Sequence, residues 1–349
     1  MNGKRIVVFG AGAIGSAIAS GLRLCDHDVT IVDPWFLHVE TIKRHGLRVT
    51  AAEQETVASV AALHIDELSL LAGSADIVVL AVKSYDTEWA VRLIVPYMSS
   101  DGFIVSAQNG LNEERIAAII GGERTVGCVV AMGGMVEEPG HMVCTSSVSG
   151  SAFYVGELDR SVSRRVRELC AILEAVGPSA VSEDIWARLW SKLAVNCMSN
   201  AICGLTGMSA GEWRVHPLAQ RIGIRIAAET VEVAQALGFT VAPLPGGLTP
   251  EIVIETARGH SSQGYAALER HAAERFSGTT TANPSLLQDV HKGRRTEVRY
   301  LNGAVVEKAR STGVDVPVNT AIAELISRIE IGELNSDSQN LQQLAEKIT

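Results

Sequence analysis

Three glycines near the start of the chain, Gly10, Gly12 and Gly15, follow a short apolar run and precede an amphipathic stretch. This spacing between a strand and a helix is typical of a dinucleotide-binding turn. The first glycine permits the tight turn, the second lets the backbone approach a pyrophosphate, and the third allows the helix to pack closely. Backbone N–H groups at the start of the helix then bind the phosphates. A glycine turn that serves packing alone is the alternative. The predicted cofactor-binding residues of this turn are Gly10, Ala11, Gly12, Ala13, Ile14 and Gly15.

The expected cofactor preference follows from Asp33, which ends the second predicted strand. A carboxylate at this position accepts hydrogen bonds from a free ribose 2′-hydroxyl and repels a 2′-phosphate. No Lys or Arg occurs between residues 34 and 42. Asp33 therefore favours NAD(H). The alternative is NADP(H), whose extra phosphate would be bound by Lys43, Arg44 or a residue from another loop.

The N-terminal part of the chain alternates short apolar runs with helix-like stretches. The apolar runs predict strands at residues 5–9, 29–33, 77–82, 103–107 and 125–131. The stretches at residues 13–25, 85–98 and 112–120 predict helices between them. This alternation favours βαβ connectivity and therefore an α/β domain with a Rossmann-type, doubly wound parallel sheet.

Strand signals fade after residue 157, and the rest of the chain has the pattern of an all-helical domain. We expect a helix at residues 159–176 and a second helix with Ser182 as its N-cap. The predicted domains are a dinucleotide-binding Rossmann domain at residues 1–181 and a helical substrate and catalytic domain at residues 182–349. Further helices are predicted at residues 186–205, 217–237, 250–276, 284–292, 297–312 and 318–329, with loops at 242–248 and 278–283.

Composition and charge disfavour several classes of protein. The 349 residues suffice for two domains, the hydrophobic content of 47% is that of a folded chain, and the net charge of −9 argues against general binding to nucleic acid or anionic membranes. The apolar run at residues 6–9 is too short for a signal-peptide core or a membrane span, so we expect a cytoplasmic protein. The six cysteines contain no CxxC pair and the nine histidines no HExxH, which suggests neither a disulfide framework nor a metal site.

Two further polar positions directly follow predicted strands. Lys83 follows the strand at 77–82, and Asn109 follows the strand at 103–107. Open parallel sheets bind ligands outside the carboxyl ends of their strands, so both residues are predicted to contact cofactor or substrate. The alternatives are an exposed loop lysine and a hairpin turn at Asn109-Gly110, although the helical stretch after Gly110 disfavours the hairpin.

A polar stripe runs along the otherwise apolar helix predicted at residues 186–205. Lys192, Asn196 and Asn200 recur at four-residue steps and therefore share one helical face. A polar stripe on a buried helix needs partners, which makes these side chains candidates for a reaction site. The alternative is that Lys192 reaches solvent and the asparagines bind neighbouring backbone.

A second polar group begins at Asn283-Pro284-Ser285. This sequence is typical of an N-cap followed by proline in the first helical turn, and it would leave the Ser285 hydroxyl and nearby N–H groups facing a carboxylate. Glu297 shares the helical face of Ser285 only if Gly293 ends the helix, so spacing alone does not place it there. Lys and Arg outnumber Asp and Glu between residues 258 and 299, which favours either an anionic substrate or a solvated helix face.

Five motifs together resemble the ketopantoate reductase (2-dehydropantoate 2-reductase) family. They are GAGAIGS at residues 10–16, VKSYDT at 82–87, QNG at 108–110, WSKLAVNCMSN at 190–200 and PSLLQDVHKGRRTEVRYLNG at 284–303. The resemblance implies an NAD(P)-dependent oxidoreductase of pantothenate biosynthesis that acts on CH–OH groups. It further implies that Lys192 is the general acid and that Glu297 joins it in catalysis. The residues implied around the nicotinamide and the substrate are Lys83, Asn109, Asn196, Asn200 and Ser285.

The expected reaction is the reduction of a small anionic 2-oxo acid, 2-dehydropantoate, to the 2-hydroxy acid pantoate. Two departures from the family pattern are compatible with a related enzyme of different substrate and cofactor preference. Asp33-Pro34-Trp35 stands where members using NADPH often carry a basic residue, and 349 residues is long for such a reductase. The first alternative is therefore an NAD-dependent D-2-hydroxy acid dehydrogenase that acts on another branched 2-oxo acid.

Two other functions are less favoured. A β-hydroxy acid dehydrogenase also pairs a helical lysine with an asparagine, but the segment from Ser285 to Glu297 speaks against it. A non-catalytic NAD-binding regulator would not require Lys192, Asn196 and Glu297. The apolar stretch at residues 222–237 suits a homodimer interface and a core equally well, so a homodimer stays open.

Overall fold

The computed structural model describes residues 3–52, 54–71, 74–145, 150–276 and 283–347. The chain divides into two compact units, Met1–Ile185 and Trp186–Thr349. The first contains both sheets, and the second is helical. The expected fold class, a Rossmann-type sheet followed by a helical region, is confirmed. Residues 278–282 of the predicted loop at 278–283 lie outside the described residues.

Twelve strands and five helices make up the described part of the first unit, together with short 3-10 turns. The strands are β1 (Arg5–Phe9), β2 (Asp28–Asp33), β3 (Leu47–Ala51), β4 (Gln54–Ala58), β5 (Ala61–His64), β6 (Ala75–Leu80), β7 (Met98–Ser106), β8 (Thr125–Val130), β9 (Gly134–Glu138), β10 (His141–Cys144), β11 (Phe153–Glu157) and β12 (Ser179–Val181). The helices are α1 (Ala13–Leu24), α2 (Phe36–His45), α3 (Thr87–Ile94), α4 (Glu113–Ile120) and α5 (Arg164–Leu173).

The main sheet has the strand order β12-β11-β8-β7-β6-β1-β2-β5. β1 lies in its middle, parallel to β2 and β6, and its last residue Phe9 is level with Val32 and Leu80. The chain therefore builds outward from β1 first on one side and then on the other. The strand order reverses at the pair β1–β6, and sheets of this kind bind ligands outside the carboxyl ends of the strands at such a switch point.

Side chains of β1 alternate between two cores. Ile6 and Val8 belong to a core that includes residues of α1 and α5, whereas Val7 and Phe9 belong to a core that includes residues of α3 and α4. Helices thus cover both faces of the sheet. Burial on both faces explains why the run at residues 77–82 is continuously apolar. The five strands predicted from apolar runs are confirmed as β1, β2, β6, β7 and β8.

A second sheet, with the order β4-β3-β10-β9, was not predicted. Its strands contain four or five residues each and mix polar with apolar side chains. The first four residues of β4 are exposed. Strands of four or five residues are too short for an alternating pattern to identify them in a sequence, even where the side chains alternate as they do in β3.

The second unit contains nine helices among its described residues, the first of which begins one residue before it. They are α6 (Ile185–Thr206), α7 (Glu212–Val215), α8 (Pro217–Ala236), α9 (Pro250–Ala257), α10 (Gln263–Phe276), α11 (Ser285–His291), α12 (Asn302–Ala309), α13 (Pro317–Glu330) and α14 (Asn340–Lys347).

Several predicted helix boundaries are wrong. The single helix expected at 250–276 is two helices, because Gly259 adopts a left-handed φ of 79° and ends α9. The helix expected at 297–312 starts with a 3-10 turn, and α12 begins only at Asn302. Ser182 is not the N-cap of α6; its N–H instead donates to the Val155 carbonyl at 2.7 Å, beside β11.

Two predicted helices of the first unit are shorter than expected. The helix predicted at 159–176 begins at Arg164, because the Ser163 hydroxyl accepts the Val166 N–H and caps it there. The helix predicted at 85–98 is the central segment α3 flanked by 3-10 turns. Local capping and turn contacts therefore determine where these helices begin and end.

Candidate active site

The glycine turn after β1 has the geometry that each of its three glycines predicts. Gly10 has a φ of 107°, and a Cβ there would lie 2.8 Å from the Ala81 carbonyl carbon. A Cβ on Gly15 would overlap the Gly10 carbonyl oxygen. Neither position accepts a side chain, because the turn, helix α1 and the end of β6 pack backbone against backbone.

Gly12 differs from the other two glycines. Apart from Gly12 itself and its two chain neighbours, no atom of the described residues lies within 4 Å of the position that its Cβ would take. Gly12 is the N-cap of α1, and no side chain caps the helix start. The turn is therefore an open cradle of backbone N–H groups with room for a ligand to approach, which fits a dinucleotide pyrophosphate.

Asp33 connects this turn to the end of β2. Its Oδ2 accepts the Ala11 N–H at 2.6 Å, and its Oδ1 accepts the Trp35 N–H at 2.8 Å. Each carboxylate oxygen keeps a second lone pair for a ligand hydroxyl. Asp33 is the last residue of β2, as the sequence predicts, and its side chain contacts the glycine turn.

Lys43 and Arg44, the two candidate ligands for the 2′-phosphate of NADP(H), form ion pairs with carboxylates. The Lys43 ammonium lies 2.6 Å from Glu67 and 3.1 Å from Glu40, and Arg44 lies 3.4 Å from Glu40. The hydrogen bond with Glu67 raises the pKa of Lys43. Contact of either cation with a 2′-phosphate would compete with these ion pairs.

The loops that follow β6 and β7 are joined to each other. The Ser84 hydroxyl and the Asn112 amide both donate to the Asn109 carbonyl, at 2.8 and 2.7 Å, and the Asn112 amide also donates to Ser84 at 3.2 Å. Lys83 immediately precedes this network. The hairpin alternative at Asn109-Gly110 is wrong, because α4 follows the turn.

Sequence reasoning missed the side chains that fix these loops. Gln108 donates to the Val82 carbonyl at 2.8 Å and to the Thr87 hydroxyl at 2.9 Å. Gln108, Asn112 and Thr87 are buried although they lie next to turns. Their polar character predicts a solvated loop. The signals for their role are the QNG motif, which contains Gln108, and the VKSYDT motif, which ends at Thr87, whereas Asn112 lies in neither motif.

In the second unit, α6 carries the predicted polar stripe on one face. Asn196 and Asn200 are buried, and Lys192 is half-buried. No hydrogen bond or ion pair engages Lys192 within the described ranges 3–52, 54–71, 74–145, 150–276 and 283–347. Burial lowers the pKa of the Lys192 ammonium, because the charged form loses hydration.

Ser285 lies against this stripe. Its hydroxyl accepts a hydrogen bond from the Asn200 amide at 3.4 Å. The contact depends on close packing of α6 on α11, because a Cβ on Gly204 would overlap the Leu286 side chain. The structure therefore brings Asn200 and Ser285 together, as the predicted site requires. The N-cap prediction is wrong: α11 begins at Ser285, and its N-cap is Pro284.

Glu297 occupies a separate turn of the second unit. Helix α11 ends at His291, and Gly293 has a left-handed φ of 59°. The helix therefore ends near Gly293, a point that the sequence alone did not decide. Glu297 is buried, and its carbonyl accepts the Tyr300 N–H at 2.8 Å in the following 3-10 turn. Glu297 therefore lies in a turn after α11 and is not on the same helix as Ser285.

Two family models match the chain. The ketopantoate reductase PanE/ApbA model covers residues 6–160, and the model of the ketopantoate reductase PanE/ApbA C terminal covers residues 184–330. The chain belongs to the ketopantoate reductase family. The resemblance based on the five motifs is thereby confirmed. The chain is an oxidoreductase, as the family is.

Relatives of this ketopantoate reductase family member match over most of its length. A 2-dehydropantoate 2-reductase from Archaeoglobus fulgidus is 28% identical over 95% of this chain and 100% of its own. One from Mesorhizobium japonicum is 30% identical over 94% of this chain and 98% of its own. The structure of D-mandelate dehydrogenase with NADH and anilino(oxo)acetate has a TM-score of 0.77 at 22% identity, over 94% of this chain and 99% of that chain. The last likeness shows a common fold.

The described residues contain neither a membrane-spanning helix nor a cluster of metal-ligating side chains. None of their helices combines the length and the hydropathy that crossing a membrane requires. In the same residues, His, Cys, Asp and Glu side chains form no group of three or more that could hold a metal ion.

Proposed function

We propose that the chain reduces a 2-oxo acid to a 2-hydroxy acid with a nicotinamide cofactor, and that the substrate is 2-dehydropantoate and the product pantoate. The observation that carries the proposal is the face of α6, where half-buried Lys192 lies in line with Asn196 and with the Asn200–Ser285 pair. Family membership and the names of the full-length relatives support the substrate.

The first unit is proposed to hold the cofactor. The glycine turn would bind the pyrophosphate, Asp33 the ribose, and Lys83 and Asn109 the nicotinamide end. The ion pairs of Lys43 and Arg44 support NAD(H) over NADP(H). When bound, the reduced nicotinamide supplies a hydride to the carbonyl carbon of the substrate.

The second unit is proposed to supply the proton and the substrate contacts. Negative charge develops on the carbonyl oxygen, and the Lys192 Nζ stabilises this charge and gives the oxygen its proton. The lowered pKa of Lys192 makes the donation easier. Ser285 and an asparagine of the stripe bind the carboxylate, and Glu297 accepts a hydrogen bond from a substrate hydroxyl.

Replacement of Lys192 by alanine tests the mechanism. We expect a loss of about 10²- to 10⁴-fold in kcat, because a positioned general acid contributes that much, with the Kd for NADH retained. Lys4→Ala is a matched control, since Lys4 is an exposed lysine at the opposite end of β1 from the glycine turn. An unchanged kcat in Lys192→Ala would exclude this lysine as the acid.

The second candidate is an NAD-dependent D-2-hydroxy acid dehydrogenase for another branched 2-oxo acid. The fold shared with D-mandelate dehydrogenase and the environment of Asp33 favour it. Steady-state rates with NADH and NADPH over a panel of 2-oxo and 3-oxo acids distinguish the candidates. Preference for a 3-oxo acid would favour a β-hydroxy acid dehydrogenase, and tight NADH binding without turnover would favour a regulator.

A further inference from the structure

An exposed apolar patch lies at the start of α2, directly after Asp33. Trp35, Phe36 and Leu37 are 40%, 63% and 57% exposed. Large apolar side chains that are adjacent and exposed commonly mark a binding surface. This patch begins two residues after the carboxylate assigned to the cofactor ribose.

Trp35 is held rigidly within this patch. Its N–H donates to Asp33 Oδ1 at 2.8 Å, and its indole stacks on the His38 ring at 5.0 Å between centroids and 9° between planes. His38 is itself buried, and its Nδ1 accepts the Gly140 N–H at 2.9 Å. The platform beneath the indole is therefore fixed.

The opposite side of the indole has no ring partner within the described part of the chain. Phe36, by contrast, meets His64 edge to face at 5.9 Å, and Leu37 has no π-face. Trp35 is thus the member of the patch that presents a flat, ordered and partly exposed ring.

The position of Asp33 indicates what this ring binds. The 2′-hydroxyl of a ribose is on the carbon next to the one that carries the base, so a carboxylate that holds this hydroxyl places the base within a few ångströms. The same carboxylate also holds the Trp35 backbone. Bases stack on aromatic side chains through their π-faces, without requiring a particular hydrogen-bond pattern.

We propose that Trp35 stacks on the adenine ring of the cofactor and is a specificity-determining residue for the adenosine half. This inference rests on the proposed function of the first unit. An indole in this place provides stacking area but no cation for a 2′-phosphate, so it strengthens the preference that Asp33 sets for NAD(H).

The test compares Trp35→Ala with wild type in calorimetric titrations with NADH and with ADP-ribose, which lacks the nicotinamide. We expect both Kd values to rise by the same factor, about 5- to 150-fold, because one stacked base is lost. Trp35→Phe should retain part of the affinity. The KM for reduced nicotinamide mononucleotide, which has no adenosine, should not change.

Leu37→Ala is the matched control, since it removes exposed apolar area from the same patch. Retained NADH affinity in Trp35→Ala would overturn the inference, and so would a changed oligomeric state in both variants without a change in Kd, because the patch would then bind a protein. Failure of the wild type to bind NADH or ADP-ribose would instead refute the proposed function itself.

Discussion

Glu113 provides a quantitative test of burial in the first unit. It is the first residue of α4 and is fully buried between that helix and the sheet. Burial raises the pKa of its carboxyl to about 7, because the charged form loses its hydration. The neighbouring Cys128 thiol on β8 is also buried, and burial raises its pKa as well. Charged Glu114 on α4 adds to the rise for Glu113.

The shift predicts how stability varies with pH. Between the ordinary carboxyl pKa of 4.5 and the folded value of about 7, the folded chain keeps a proton on Glu113 that the unfolded chain loses. Folding stability therefore falls as pH rises through this interval. At about 1.4 kcal/mol for each pKa unit, the cost of the charged carboxylate reaches about 3 kcal/mol by about pH 8.

Glu113→Gln removes this cost because the amide stays neutral. The variant and wild type should be similarly stable near about pH 4.5, and the variant should be more stable by about 3 kcal/mol near about pH 8. Differential scanning calorimetry across this range measures the divergence as a rising difference in Tm. Glu183→Gln is the control, since Glu183 is an exposed glutamate of the same unit that does not contribute to the shift. Parallel Tm curves for wild type and Glu113→Gln would refute the reasoning.

Three further predictions follow from the geometry. Gly12→Ala should keep the wild-type Tm but raise the Kd for NADH at least about 10-fold, because its Cβ would occupy only the space left for the ligand. Gly15→Ala should also lower the free energy of unfolding by about 1–3 kcal/mol, because its Cβ would overlap the backbone. Calorimetry measures the change in stability, and titration measures the change in Kd. Gly204→Ala should lower kcat/KM about 10-fold by pushing α11 from α6, and adding Leu286→Ala should restore part of the rate, which steady-state kinetics can check. The pH profile of kcat should fall as pH rises through the lowered pKa of Lys192, and a profile identical to that of Lys192→Arg would contradict the assignment.

The sequence predicted those features whose physics is local. Gly10, Gly12 and Gly15 need particular backbone conformations or open space, and the coordinates show the same requirement at each of them. The stripe on α6 follows from helical periodicity alone. Such features depend on a few neighbouring residues, so a single sequence contains the information.

Features that depend on distant contacts were missed. The buried amides of Gln108 and Asn112 are satisfied by hydrogen bonds to residues of another loop, such as Thr87 and Ser84. Glu297 could not be placed by spacing, because the break at Gly293 had to be known first. In both cases tertiary contacts decide the environment of a polar residue whose sequence context is that of a surface loop.

The pairing of β3 with β10 has a consequence for synthesis on the ribosome. Arg48 and His141 face each other in parallel register although 93 residues separate them. At translation rates of about 5–20 residues per second, β3 emerges about 5–20 s before its partner exists. During that time the nascent hairpin of β3 and β4 has an unsatisfied edge, a period in which chaperones can bind it and neighbouring nascent chains can aggregate with it.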